Sequence, residues 1–175
     1  GLGTLNHTAL TVARIADANE KCSELSKMNQ IAASTAVIAS PELTEILVLS
    51  RSLNQRSGGV FDITFAPIQS DVESWGPDAG LTNSVQEFTP KASADSKQKV
   101  GNSLWNIDPA ARKVQYLKPG IKLVVNGVAK GYAAQKAAEK LLPLKLRGFA
   151  IIGGGMFVAA CAALKDNTLM CIEDP

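Results

Sequence analysis

The stretch that decides the fold is Leu123-Val124-Val125-Asn126-Gly127-Val128-Ala129-Lys130-Gly131-Tyr132-Ala133-Ala134. Ile121 to Val125 is a short apolar, largely β-branched run and reads as a buried strand. Asn126-Gly127 breaks it. From Val128 the pattern is helical, with Ala133, Ala134, Ala137, Ala138, Leu141 and Leu142 on one side and Lys136, Glu139 and Lys140 on the other. Pro143 ends it. A strand that feeds a helix through Asn-Gly exposes the first helical N–H groups, and these attract an anion, most simply a phosphate. Lys130 adds a full positive charge in the first turn, and Gly131 removes a side chain where a backbone or a ligand approaches. The plainer reading, an ordinary strand-to-helix connection with an exposed lysine, is the commoner fate of such a stretch. The phosphate-loop pattern G-x-x-x-x-G-K-[ST] and the dinucleotide pattern G-x-G-x-x-G are both absent here.

Working outward, the segment on the N-terminal side of this stretch carries a strong helix start at Ser40-Pro41-Glu42: a serine cap, a proline at the first helical position and an acid in the first turn. Leu43, Ile46, Leu47, Ser50 and Leu53 form its expected buried face, and Gly58-Gly59 stops it. Thr8 to Met28 shows a weaker helical pattern. After the glycines, Phe61, Ile63 and Phe65 alternate as in a strand that Pro67 keeps short. Asp62 lies inside this run. Beside glycines an aspartate is usually a turn or cap residue; its functional reading is a carboxylate that accepts hydrogen bonds from a ligand. Trp75 in Trp75-Gly76-Pro77-Asp78 reads as a core aromatic first and a ligand-stacking one second. Residues 82–100 form a polar excursion or linker. Leu104 to Asp108 and Lys113 to Leu117 predict a hairpin around Pro109-Ala110-Ala111-Arg112, and Lys118-Pro119-Gly120 a turn.

On the C-terminal side, Phe149 to Ile152 predicts a buried strand, followed by Gly153-Gly154-Gly155 and an apolar run from Met156 to Leu164. Three glycines allow a sharp bend or the close approach of a ligand. The run is too short to span a membrane. Lys165-Asp166-Asn167-Thr168 predicts a turn into Leu169 to Ile172. The chain stops directly after that strand and reads as incomplete at its C-terminus.

Composition narrows the function classes. The chain has 175 residues, 46% of them hydrophobic, so it folds around a sizeable core. A net charge of +2 is too small to argue for nucleic acid or an anionic membrane. His7 is the only histidine, so histidine-rich metal sites are excluded from these residues. Cys22, Cys161 and Cys171 match no zinc spacing. They read as small core hydrophobes, with a disulfide among them left open. There is no signal peptide, as in a mature exported protein whose leader has been removed.

Several phrases, in order, resemble one family: Ser23-Glu24-Leu25-Ser26-Lys27-Met28-Asn29, Ser40-Pro41-Glu42-Leu43, Ser57 to Thr64, Trp75-Gly76, Asn126 to Ala133, Ile152-Gly153-Gly154 and Ile172-Glu173-Asp174-Pro175. Over about residues 10 to 175 they resemble the ApbE-type flavin transferases, the FAD:protein FMN transferases once linked to thiamine biosynthesis. The resemblance implies one domain over 1–175 with a T-fold-like α+β architecture, antiparallel sheets packed with helices in two lobes. It implies cleavage of FAD with Mg2+ and transfer of FMN to a threonine of an acceptor flavoprotein subunit. FAD hydrolysis to FMN and AMP, or FAD binding without catalysis, is the alternative, and an assembly protein without flavin a third. Val60, Phe61 and Asp62 would contact FAD, Lys130 would sit by the phosphates, and the backbone near Gly127 by the metal. A catalytic residue is not assigned. The resemblance further implies a periplasmic site or the outer face of the bacterial inner membrane, with a lipid anchor on a removed N-terminal segment. Two departures bear on activity: the family usually has Asp where Val124 stands and an acid where Gly155 stands. Its aspartate-and-threonine metal ligands and a later histidine are expected beyond residue 175.

Overall fold

The computed structural model describes residues 15–16, 23–73, 93–146, 148–153 and 156–161. The chain divides into two compact units, with the boundary between Ala129 and Lys130. The architecture is mixed α+β with small antiparallel sheets.

In the first unit, helix α1 (Glu24–Ile31) starts on Ser23, whose hydroxyl accepts from Ser26 N at 3.0 Å. Glu24 reaches forward and accepts the Ser40 amide at 2.6 Å, which ties the starts of two helices together. Helix α2 (Pro41–Arg56) begins as the sequence predicts, with the Ser40 hydroxyl accepting from Leu43 N at 3.2 Å and Pro41 in the first turn. Its buried face is Leu43, Thr44, Ile46, Leu47, Ser50 and Asn54. Leu53 is only half-buried, and the face turns toward Asn54. Gly58 and Gly59, at φ +64° and +88°, take the left-handed backbone that ends the helix.

The predicted hairpin is present as β2 (Trp105–Asp108) and β3 (Lys113–Tyr116), paired in register from Trp105↔Tyr116 to Asp108↔Lys113. Asp108 closes the turn by accepting from Ala110 N at 3.0 Å and Ala111 N at 3.1 Å. A two-residue strand, β1 (Val37–Ile38), adds to the other edge of β3. Trp105, Val114 and Tyr116 pack into the core with Leu25 and Met28 of α1 and Leu43, Ile46 and Leu47 of α2. Arg51 lies 4.2 Å over the Trp105 ring and donates to the Trp105 carbonyl at 2.6 Å. Partial burial lowers the Arg51 pKa from its ordinary value.

Two predicted strands take other forms. Phe61 to Phe65 is not a strand. Asp62 captures the Thr64 amide at 2.8 Å and turns the chain, and helix α3 (Ala66–Glu73) begins at once with Pro67 in its first turn. Alternation of apolar residues is not sufficient where an aspartate two positions upstream of a threonine offers the backbone a local partner. Ile121 to Val125 alternates as expected, with Ile121, Leu123 and Val125 buried at 2%, 0% and 0% exposure. It joins no ladder, because its hydrogen bonds go to the Asn29 side chain and to the Ile63 carbonyl. The polar excursion ends in a one-turn helix, α4 (Ala94–Lys97), capped by Ser93 and packed on α3.

The central helix α5 (Asn126–Leu141) starts two residues earlier than the sequence suggests. The Val125 carbonyl accepts from Val128 N at 2.9 Å and Ala129 N at 2.8 Å, so Asn126 and Gly127 are its first two residues. Asn-Gly is a poor helix pair in the interior, but the first turn needs fewer intrahelical bonds from it.

In the second unit, α5 buries Tyr132, Ala134 and Ala137. A 3-10 turn over Leu142–Leu144 with Pro143 ends it, and Leu142, expected on the buried side, is 60% exposed. Strand β4 (Gly148–Gly153) covers the predicted buried strand, and β5 (Met156–Cys161) forms in the apolar run after the glycines; the two pair antiparallel, in register from Gly148↔Cys161 to Gly153↔Met156. Phe149 and Ile151 are half-buried. Trp75, the predicted turn at 165–168, the strand after it, His7, Cys22 and Cys171 lie outside the described residues. No helix among the described residues is long and apolar enough to cross a membrane.

Candidate flavin-nucleotide site

The loop Ser57–Thr64 is built as a rigid projection. At its base the Ser57 hydroxyl donates to the Asn54 carbonyl at 3.1 Å and accepts from Phe61 N at 2.9 Å. The Gly59 amide donates to the Asn54 carbonyl at 2.8 Å, and the Asn54 side-chain amide donates to the Phe61 carbonyl at 2.7 Å. Both main-chain groups of Phe61 are thereby fixed by side chains at the end of α2. Further along, Val124 N donates to the Ile63 carbonyl at 2.7 Å, and Gly101 N donates to the Thr64 hydroxyl at 2.7 Å. A segment of this length with no ladder is ordered because every turn of it is tied to a different element.

Held this way, the three residues predicted to contact a ligand are presented together. Val60 is 89% exposed at the tip, and Phe61 and Asp62 are half-buried beneath it. The Asp62 Oδ1 atom accepts twice, from Thr64 N at 2.8 Å and from Thr64 Oγ1 at 2.6 Å. The turn reading of Asp62 is thus part of its role, and Oδ2 has no partner among the described residues. Gly127, in the first turn of α5, approaches the loop: a Cβ placed there would lie 3.3 Å from Phe61 Cε2. The glycine is needed for that contact and not for an unusual φ.

The start of α5 leaves main-chain donors open. Its cap position is Val125, a residue with no polar side chain, and the amides of Asn126 and Gly127 have no acceptor among the described residues. Lys130, exposed, is the fifth residue of α5 and therefore lies in its second turn; it makes no ion pair among the described residues. Free amides at the positive end of a helix of 16 residues favour an anion.

One side chain that sequence reading left without a role supports all of this. Asn29, at the end of α1, donates to the Leu123 carbonyl at 3.0 Å and accepts from Leu123 N at 2.9 Å and from the Tyr116 hydroxyl at 2.6 Å. It acts as one residue of a neighbouring strand would, and so fixes the approach to α5. Burial raises the Tyr116 pKa well above its ordinary value, so the phenol stays a donor. The signal was present in the last position of Ser23 to Asn29, but a lone asparagine gives no direction to its partner.

The described residues bring together no set of carboxylates for Mg2+. Mg2+ takes an octahedron of oxygens that usually includes one or two carboxylates. Among the described residues no three His, Cys, Asp or Glu side chains converge. Val124 offers only backbone, and its N–H is spent on Ile63. Gly127, expected by resemblance near the metal, lies in the first turn of α5.

The ApbE family model matches residues 5–175. The chain belongs to the ApbE family. An FAD:protein FMN transferase from Haemophilus influenzae is 28% identical over 139 residues, which are 78% of this chain and 39% of that protein. Among solved structures, the flavinyl transferase ApbE of Pseudomonas stutzeri in its apo form matches with a TM-score of 0.71 at 19% identity, over 90% of this chain and 48% of that one. The flavin transferase ApbE of Vibrio cholerae matches with a TM-score of 0.73 at 19% identity, over 89% of this chain and 48% of that one. These matches show that the α+β fold is the ApbE fold. The chain spans half or less of the length of each of these relatives.

Proposed function

We propose that this ApbE-family chain holds the flavin nucleotide in an FAD:protein FMN transferase. The observation that carries the reading is the Ser57–Thr64 loop: pinned by Asn54, Ser57, Gly101 and Val124, it leaves Val60, Phe61 and the free oxygen of Asp62 for a ligand. Val60 and Phe61 offer apolar surface to a ring, and Asp62 accepts from an N–H or O–H of FAD. The amides of Asn126 and Gly127 and the Lys130 ammonium neutralise a phosphate, and charge on the pyrophosphate grows as its bond to AMP breaks. When bound, Mg2+ supplies charge neutralisation in phosphoryl transfer. The residues described here do not hold it, and no step is assigned to it. The acceptor is a flavoprotein subunit that receives FMN on a threonine. Family membership supports a periplasmic setting or the outer face of the bacterial inner membrane.

A second reading, FAD binding without transfer, is favoured by Val124, which stands where the family usually has an acid. Two measurements decide between them. Quenching of FAD fluorescence on titration with the chain is expected in both cases. AMP release, with a gain of one FMN on a threonine-containing acceptor in the presence of FAD and Mg2+, is expected for a transferase alone. Lys130→Gln should weaken FAD binding about three- to tenfold while leaving riboflavin, which has no phosphate, unaffected. Equal weakening of both would remove Lys130 from the phosphate.

A further inference from the structure

Thr64 is fully buried, yet its hydroxyl does two directional jobs. Gly101 N can only donate, so at 2.7 Å it occupies a lone pair of Oγ1. The Thr64 proton is then directed to its other neighbour, Asp62 Oδ1, at 2.6 Å. The Thr64 amide converges on the same oxygen at 2.8 Å. Two donors saturate Oδ1 and stop the carboxylate from rotating. The opposite oxygen, Oδ2, is left as the acceptor. We propose that Thr64 is a positioning residue for nucleotide recognition: through the relay Gly101 N–H, Thr64 O–H, Asp62 Oδ1 it holds Asp62 Oδ2 toward an N–H or O–H donor of the flavin nucleotide. This rests on the flavin-nucleotide reading above and adds a residue that touches no ligand itself.

The relay makes a distinctive prediction, because Thr64 acts only through Asp62. The full chain is titrated with FAD, following flavin fluorescence, for the wild type and for Thr64→Val, Thr64→Ser, Asp62→Ala and the double variant Asp62→Ala/Thr64→Val. Thermal melting of each variant is recorded alongside. Valine keeps the shape and loses the hydroxyl, and should weaken FAD binding about tenfold. Serine restores the donor and should bind within about twofold of wild type. With Asp62 already alanine, Thr64→Val should change FAD affinity by less than about twofold, although it still lowers the melting temperature through the lost partner of Gly101 N. A tenfold effect that persists in the Asp62→Ala background overturns the proposal, as does a serine variant as weak as valine. Should Thr64→Val fail to fold, the serine variant and a comparison of Asp62→Ala with wild type carry the test. A wild-type chain that leaves FAD fluorescence unchanged overturns the nucleotide reading and the proposal together. A wild type that quenches FAD beside a folded Thr64→Val that quenches equally overturns the proposal alone.

Discussion

Replacing Asn29 by alanine removes three hydrogen bonds at one stroke: those to Leu123 N, to the Leu123 carbonyl and from the Tyr116 hydroxyl. Leu123 is 0% and Tyr116 2% exposed, so water does not readily replace the lost partners. Each buried group left unpaired costs about 1–3 kcal/mol. Asn29 is itself half-buried, and one water in the space it vacates recovers part of the loss, so we expect about 3–5 kcal/mol. For a chain of this size that lowers Tm by roughly 10 °C. Asn29→Asp refines the test. The aspartate keeps both bonds to Oδ1 but turns a second oxygen on the Leu123 carbonyl, where the wild type has an N–H donor. Its folded pKa is therefore raised above the unfolded value of about 3.9. Native Asn29→Asp then binds more protons than the unfolded chain, so its stability rises as pH falls through the folded pKa and is fully recovered near the unfolded one. Denaturation followed by circular dichroism at neutral pH and near pH 4.5 should show the Asn29→Asp deficit shrinking on acidification while the Asn29→Ala deficit stays constant. An Asn29→Ala variant within about 2 °C of wild type would refute the strand-mimic role, and an Asn29→Asp deficit that does not change with pH would refute the assigned direction of the amide.

Asp62→Asn should keep the turn, because the amide oxygen accepts from Thr64 as the carboxylate does, so melting changes by less than about 1 kcal/mol while FAD titration weakens; Asp62→Ala should lose both, with FAD binding down by about 1–3 kcal/mol. Gly127→Ala gains at most about 1 kcal/mol of helix propensity, less in the first turn than in an interior, and sets a methyl 3.3 Å from Phe61 Cε2, so thermal stability should change by less than about 1 kcal/mol while FAD quenching falls as the ring is displaced. The raised Tyr116 pKa means that the unfolded chain loses the phenol proton first: stability is undiminished below about pH 10 and falls as pH rises beyond it, at up to about 1.4 kcal/mol per pH unit. Urea titrations in alkaline buffers should show that decline, flattened in Tyr116→Phe.

The parts of the fold that were legible in the sequence are those whose partners are local. Ser40-Pro41-Glu42 starts α2 through a cap three residues away, and Asp108 closes the β2–β3 turn through amides two and three residues on. Patterns whose partners lie far along the chain were read less well. Ile121 to Val125 has the composition of a strand, but whether it joins a ladder depends on Asn29, 94 residues from Leu123. At Phe61 to Phe65 the error was one of competition: the period-two pattern was right about Ile63, buried at 4%, and wrong about the backbone, which Asp62 and Thr64 took over. Phe65, the last of the three, is 39% exposed. The loop residues Val60, Phe61 and Asp62 were named from the family phrase, and periodicity alone would have placed Phe61 in a core.

The phrases shared with the family divide by physical role, and that division limits what the resemblance carries. Ser23, Asn29, Ser40, Ser57 and Thr64 each bond to main-chain atoms: Ser23 and Ser40 cap helices, Asn29 holds Leu123, Ser57 holds Phe61 and Thr64 receives Gly101. Such residues supply partners that the backbone needs on this course, most of all where water does not reach. They therefore report the shape of the chain, and a sequence can keep every one of them after its chemistry has changed. The residues that would report chemistry are of another kind: carboxylates with a free oxygen, unpaired cations and open amides. In the Ser57–Thr64 loop and the start of α5 these are Asp62 Oδ2, Lys130 and the first amides of α5. That set suits the anionic end and a hydrogen-bond donor of a nucleotide and lacks the oxygens a divalent cation requires. Binding of FAD without added Mg2+ is the property these residues support on their own. The decisive comparison is FAD affinity with and without the cation: little change is expected, and a large Mg2+-dependent gain would mean that oxygens outside this set complete the site.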